Sequence, residues 1–312
     1  MESLSAMALH TATAWAPVTA LHCRSLLRLL RPHQWTKNIL LFVPLLLGHE
    51  FTIATLGTVL AAVAVFSMFA STVYVLNDRL DVEADRLHPT KRQRPLASGA
   101  LPLGVAVPLA ILLLSLGSGL AWSFLPTRFL ALAALYLTAS IAYSVWLKRK
   151  PVVDVILLAG LYTIRILAGG AAAEVAVTEW LLAFSMFFFV SLAFAKRYAE
   201  LDRHANPKLG LRNGRGYDVS DIGLLETLGP TSGYLAVLVF SLYIQGETAQ
   251  QLYTREWALW LICPLILYWI SRVWLLAKRH KLLEDPVVFA MTDRVSLAVG
   301  AGVGALLLLA HG

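Results

Sequence analysis

Apolar residues in this chain come in long runs broken by short polar intervals. A hydrocarbon layer of about 30 Å needs roughly 20 such residues per helix, and about nine runs approach that length. They extend from Trp35 to Leu47, Ile53 to Leu76, Leu103 to Phe124, Arg128 to Leu147, Val152 to Ala173, Trp180 to Ala195, Ser232 to Gln245, Trp257 to Ala277 and Val295 to Ala310. The pattern predicts an all-α polytopic membrane protein, with residues 1–30 as an N-terminal tail and 31–312 as one membrane domain. Leu21 to Leu30 sets Arg24 and Arg28 among leucines, with Arg31 just beyond. That spacing suits a short helix on an anionic membrane face, with a disordered basic tail as the alternative. Met1 to Ala20 lacks the basic start and cleavage site of a signal peptide, so it is expected to be retained. The polar interval from Glu200 to Pro230 reads as a loop with one short helix.

Composition supports the membrane reading. Of 312 residues, 58% are hydrophobic and 14% charged, against roughly 25% charged in ordinary soluble domains. Mean hydropathy is +0.68. A net charge of +7 raises the question of nucleic acid, but that partner needs a basic face on a soluble domain, and the pattern offers none. The excess follows positive-inside loops instead. Arg31 and Lys37, Arg79 to Arg94, Lys148 to Lys150, Lys196 to Arg215 and Lys278 to Lys281 occupy alternate connections. This places them, with the N-terminus, in the cytoplasm, and fits a bacterial inner membrane. Cys23 and Cys263 are the only cysteines and suggest neither a disulfide framework nor a zinc site.

The chemistry concentrates between Asn77 and Gly99, NDRLDVEADRLHPTKRQRPLASG. Asp78, Asp81 and Asp85 stand at i, i+3 and i+7, one side of a helix continuing out of the second run. Three like charges on one face repel, and an all-oxygen set favours a hard cation such as Mg²⁺, which shares its sites with phosphates. The competing reading is a solvated helix end whose acids pair with Arg79, Arg86 and the bases that follow. The continuation HPTKRQRP favours the first reading, since Pro89 and Pro95 stiffen a loop bearing Lys91, Arg92 and Arg94, suited to clamp phosphate.

NDxxDxxxD followed by DRxHPxKxxRPxAxG strongly resembles the UbiA-type intramembrane prenyltransferase superfamily, and within it the polyprenyl-phosphate phosphoribosyltransferase branch. RPHQWTKN at Arg31 to Asn38, YSVWLK at Tyr143 to Lys148 and KRYAEL at Lys196 to Leu201 extend the resemblance. It implies a nine-helix bundle with a cytoplasm-facing cavity and Mg²⁺ at Asp78, Asp81 and Asp85. It further implies 5-phosphoribosyl transfer from 5-phosphoribosyl diphosphate (PRPP) to a polyprenyl phosphate. Lys37, Asn38, Asn77, Lys91, Arg94, Tyr143 and Lys148 become substrate-binding candidates on that ground. One departure matters. Relatives that prenylate aromatic acceptors carry a second aspartate-rich motif where this chain has KRYAELD, so Lys196 and Arg197 replace acids beside Glu200 and Asp202. That favours extra cations for a donor with a separate 5-phosphate, and puts Glu200 as a metal ligand in doubt.

Arg165 lies within the fifth run, about 16 Å along a helix from Asp154 and on the same face. An intramembrane arginine usually faces a polar cavity, although a structural pair is the alternative. Asp293 and Arg294 read as ordinary capping, His88 as a loop residue, and Gly214 and Gly216 as a turn rather than a phosphate loop. In the implied reaction, cations hold the departing diphosphate and other phosphate oxygens while the anionic lipid phosphate attacks the ribose carbon. Two rivals stand beside it. One is prenyl transfer from a polyprenyl diphosphate to an aromatic or lipid acceptor; the other is a non-enzymatic transporter with proline-interrupted spans at Pro44, Pro108 and Pro264. The lipid bilayer is the expected setting, and a homo-oligomer is compatible with the pattern.

Overall fold

The computed structural model describes residues 20–48, 51–204, 216–282 and 285–312. Most of the tail, and Gly214, lie outside them. Every regular element among the described residues is helical. Helix α1 (Ala20–Leu30) ends at Arg31, whose φ of 55° and ψ of 58° turn the chain through the left-handed region. A 3₁₀ segment, Pro32–Phe42, follows and passes into α2 (Val43–Gly48). At about 2.0 Å per 3₁₀ residue and 1.5 Å per α residue, the two together cover roughly 31 Å. That sum approaches the thickness of the hydrocarbon layer, but it is divided between helical pieces of 11 and 6 residues, neither of spanning length alone.

Helix α3 (Ile53–Leu80) opens on a capping box between Thr52 and Thr55 and is followed by α4 (Val82–Leu87). The expected continuous acidic helix is broken here. Asp81, with φ −90° and ψ 6°, ends α3 and begins α4. Helices α5 (Ala106–Phe124), α6 (Thr127–Val145), α7 (Val153–Ala173) and α8 (Glu179–His204) follow. Helix α9 (Ile222–Ile244) begins ten residues before the expected Ser232 and carries Pro230 inside it. The hydroxyls of Thr231 and Ser232 donate to the carbonyls of Thr227 and Leu228, each at 2.7 Å. Side-chain bonds of this kind help a membrane helix tolerate proline.

After α10 (Glu247–Leu252), the next run divides at Leu261 into α11 (Glu256–Trp260) and α12 (Ile262–Lys278). A short helix that the apolar pattern did not anticipate, α13 (Pro286–Thr292), precedes α14 (Arg294–His311). Among the described residues, eight helical stretches are long and apolar enough to span a membrane, against about nine expected; the first run is the difference.

Helix α7 is central. One apolar cluster joins it to α8 and α12 through Tyr162, Phe189, Trp269 and Trp274. Another joins it to α2, α3 and α6 through Leu45, Phe66, Phe129 and Leu161. Gly169 is needed there, because a side chain on it would run into the backbone of Leu41 in the 3₁₀ segment. Alternating connections bring the C-terminal ends of α3 and α8, the N-terminal end of α7 and the loop before α13 to one end of the bundle. Most of the buried charges gather at that end, with Arg165 farther along α7.

Candidate active site

The acids at the end of α3 are held by cations of the chain itself. Asp78 and Asp85 are nearly inaccessible, and both accept from one nitrogen, Nη1 of Arg94, at 3.1 and 2.6 Å. Arg31 Nη2 donates to Asp78 Oδ1 at 2.5 Å, and its guanidinium lies 5.1 Å from the centre of the Tyr74 ring. Asp81, set at the break between α3 and α4, instead faces Lys148 at 3.4 Å. Arg86 pairs with exposed Glu83 and not with the three aspartates. Asn77 donates to Ser144 Oγ at 3.0 Å, which ties α3 to α6. In the following loop, Lys91 is exposed while Arg94 turns inward.

A second group joins the 3₁₀ segment to α8. Asp285 Oδ2 accepts from Lys37 Nζ at 3.0 Å and from Lys196 Nζ at 2.7 Å. Tyr162 also donates its hydroxyl to the Asp285 carboxylate. Burial works against charge on Asp285, but the ammoniums of Lys196 and Lys37 outweigh it and hold the carboxyl far below the usual carboxylate range.

Arg165 and Asp154, read as one face of α7, have different partners. Arg165 donates to Asn38 Oδ1 at 3.1 Å, to the Leu161 carbonyl at 2.6 Å and to the Tyr136 hydroxyl at 2.9 Å. Asn38 in turn donates to Ser67 Oγ at 2.9 Å. Asp154 is fully buried and pairs with Arg197, itself 1% exposed. Arg197 also binds Glu200 and donates to the Tyr143 hydroxyl at 2.7 Å.

Tyr217 completes this last group by donating to Asp154 Oδ1 at 2.8 Å and accepting from the Val152 amide at 2.7 Å. Burial raises the Tyr217 pKa, so its hydroxyl keeps the proton it donates. Val152 has φ 65°, a conformation a β-branched residue reaches only where its surroundings impose it. Gly216, at φ 76°, makes the turn that brings Tyr217 in, with the Arg149 carbonyl where a side chain would stand.

Whether Mg²⁺ fits can be judged from the donors. Asp78 and Asp85 already share one cationic group, the Arg94 guanidinium, and offer hard oxygen ligands. Among the described residues no group of three or more His, Cys, Asp or Glu side chains is arranged to hold an ion. The arrangement thus suits a cation held by two carboxylates, with its other positions left to water and phosphate, and Asp81 outside the pair. Glu200 and Asp154 are instead tied to Arg197.

Residues 39–308 match the UbiA prenyltransferase family. The chain belongs to that family. It is 36% identical over 287 residues to the uncharacterized protein y4nM of Sinorhizobium fredii, covering 90% of this chain and 55% of that protein, so the chain spans about half its length. It is 36% identical to nodulation protein NoeC of Azorhizobium caulinodans, covering 89% and 91%. Against decaprenyl-phosphate phosphoribosyltransferase of Corynebacterium glutamicum the identity is 42% over 214 residues, covering 66% and 64%. In fold it is similar to a UbiA homolog from Archaeoglobus fulgidus bound to DMAPP and Mg²⁺, with TM-score 0.68, 19% identity and coverage of 91% and 99%. The UbiA fold makes this an integral membrane protein of helical architecture.

Several participants carried no signal along the chain. Arg31 opens the RPHQWTKN motif, but its place before a predicted span gave no hint that it reaches Asp78. Asp285 precedes Pro286, an ordinary helix-start pair, and nothing local points to lysines 248 and 89 residues away. Tyr136, Tyr162 and Tyr217 stand in no motif, and only the fold brings their hydroxyls to Arg165, Asp285 and Asp154. The residues set aside stay aside. Asp293 caps α14 through the Ser296 amide at 2.8 Å while pairing with Arg272. His88 Nδ1 accepts the Thr90 and Lys91 amides, each at 3.3 Å, within its own loop.

Proposed function

We propose that this protein transfers the 5-phosphoribosyl group from PRPP to a polyprenyl phosphate in a magnesium-dependent reaction that releases diphosphate. The observation that carries the reading is the ratio of charges at the site end. Lys37, Arg94, Lys196 and Arg197 meet acids there, with Arg165 farther along α7, and Arg197 already holds Glu200 of the second motif together with Asp154 of α7. Counted with Arg31, Lys148 and Arg165, seven basic side chains stand against six acids, Asp78, Asp81, Asp85, Asp154, Glu200 and Asp285, and a surplus of cations suits a donor with several phosphate groups. The decaprenyl-phosphate phosphoribosyltransferase relative supports the same choice.

Asp78 and Asp85 would hold Mg²⁺, which when bound would neutralise charge on the departing diphosphate. Arg94 and Lys196 bind the remaining phosphate oxygens as charge-assisted donors. Arg165 presents a planar guanidinium, fixed by Asn38 and Tyr136, to the lipid phosphate. That phosphate is already anionic, so its attack on the ribose carbon C1 needs no protein base. The apolar walls of the bundle keep water from the activated donor. The site end faces the cytoplasm of a bacterial inner membrane, where a soluble donor meets a lipid acceptor.

Mass spectrometry of products tests the reading. Purified protein receives PRPP with polyprenyl phosphate, or a prenyl diphosphate with 4-hydroxybenzoate, each with and without Mg²⁺. A phosphoribosylated lipid in the first mixture is expected. Product in the second mixture alone would replace this function with aromatic prenylation.

A further inference from the structure

Asp285 belongs to none of the motifs that carry the family resemblance, yet it joins three distant parts of the chain. Lys37 comes from the 3₁₀ segment, Lys196 from α8, and both ammoniums bind the same carboxylate oxygen. They can therefore be no farther apart than those two hydrogen bonds combined. Two cations so close repel unless an anion stays between them. Asp285 supplies it, and its remaining capacity is used by Tyr162 and by the Val287 amide at 3.1 Å. Each ammonium has three donors and spends one on Asp285. The acid side chain is 7% exposed and that of Lys196 23%, so a cation rather than the acid faces the open space.

We propose that Asp285 is a positioning residue that holds Lys37 and Lys196 together as a two-cation anchor for one phosphate group of a substrate. The proposal rests on the phosphoribosyl-transfer reading for the identity of the substrates, though not for the pairing itself. The competing role is that of a helix cap, since Asp285 starts α13. The two roles separate cleanly, because Asn and Ser cap helices about as well as Asp. Asp285→Asn and Asp285→Ser thus keep the cap and remove the charge together with one carboxylate oxygen.

Steady-state kinetics on the full chain supply the first measurement. In both variants KM for one phosphate substrate should rise about tenfold with kcat within about threefold, as expected when a binding cation pair loosens. A rise for PRPP assigns the anchor to the donor, and a rise for polyprenyl phosphate assigns it to the lipid headgroup. Wild-type KM for both, or loss confined to kcat, overturns the proposal.

The second measurement needs no turnover. Amine-reactive labelling of Lys196, followed by mass spectrometry at neutral pH, should run several-fold faster in Asp285→Asn, because an ammonium deprived of its carboxylate yields its proton more readily. Unchanged labelling overturns the proposal even if the protein proves to use other substrates. Failure of wild-type protein to use PRPP would overturn the function proposed above and leave this arm decisive. Should Asp285→Asn fail to fold, Lys37→Met combined with Asp285→Asn restores the charge balance. That double variant is expected to fold with a raised KM, and wild-type KM in it overturns the proposal.

Discussion

Replacing Arg197 by methionine tests the most enclosed ion pair in the site. Arg197 is 1% exposed and Asp154 is fully buried, and removing the guanidinium leaves Asp154 only the Tyr217 hydroxyl among its side-chain partners. Glu200 is 22% exposed and can turn toward water, so its share is small. The cost therefore falls on one uncompensated buried carboxylate. Breaking such a pair costs about 3–5 kcal/mol, which for a chain of this size lowers the unfolding midpoint by roughly 6–20 °C. Differential scanning fluorimetry in detergent at one fixed scan rate measures it. Asp154→Asn in the Arg197→Met background should recover most of the loss, because no buried charge then remains. A midpoint within about 2 °C of wild type for Arg197→Met, or no recovery in the double variant, would refute the claim that the pair is held by charge.

Other outcomes follow from the same geometry. Asp78→Asn and Asp85→Asn should each cut turnover about a hundredfold or more and raise the Mg²⁺ needed, while Asp81→Asn, which alters only the contact to Lys148, should cost less than about tenfold; equal effects at all three positions would contradict the two-carboxylate site. Arg165→Lys keeps the charge but cannot reach Asn38, the Leu161 carbonyl and Tyr136 together, so a loss of about 1–3 kcal/mol in stability is expected by thermal unfolding. Asp293 is held at about 2, first by its hydrogen bonds from Arg272. A carboxyl with a lowered pKa stabilises the fold above its unfolded value of about 3.9 and loses that contribution as pH falls toward about 2. Asp293→Ala should therefore flatten the dependence of the midpoint on pH between about 5 and 2, and parallel curves for the two proteins would contradict it.

The sequence made the helical class and the location of the chemistry legible, because both are local. Run length announces a membrane helix, and Asp78, Asp81 and Asp85 announce themselves by spacing. Hydropathy could not show that the first run is wound as 3₁₀ helix through Lys37 and Asn38, or that its Leu41 backbone lies directly against Gly169 of α7. Spacing also placed the three aspartates on one face; Asp78 and Asp85 do meet at Arg94, while Asp81, at the junction of α3 and α4, pairs with Lys148. Partnerships were the least legible. Asp154 and Arg165 lie on one helix at matching spacing, yet each reaches another element, Asp154 to α8 and Arg165 to the 3₁₀ segment and α6.

The two arginines that bridge acids differ in a way that bears on metal stoichiometry. Arg94 spans Asp78 and Asp85 with its side chain 26% exposed, on a loop that water reaches. Arg197 spans Asp154 and Glu200 at 1% exposure, inside α8, with Tyr143 on its remaining edge. A cation from solution can compete for the first pair of carboxylates, because Arg94 has water to receive it when displaced. At the second pair, the guanidinium, itself 1% exposed, would have to be stripped of three partners, and its charge is fixed over the accessible pH range. One Mg²⁺ per chain is the expected stoichiometry. Activity titrated with Mg²⁺ should follow a single hyperbola with a Hill coefficient of about 1. A coefficient near 2, or two ions per chain by equilibrium dialysis with PRPP present, would show that Arg197 does not close the second acidic pair.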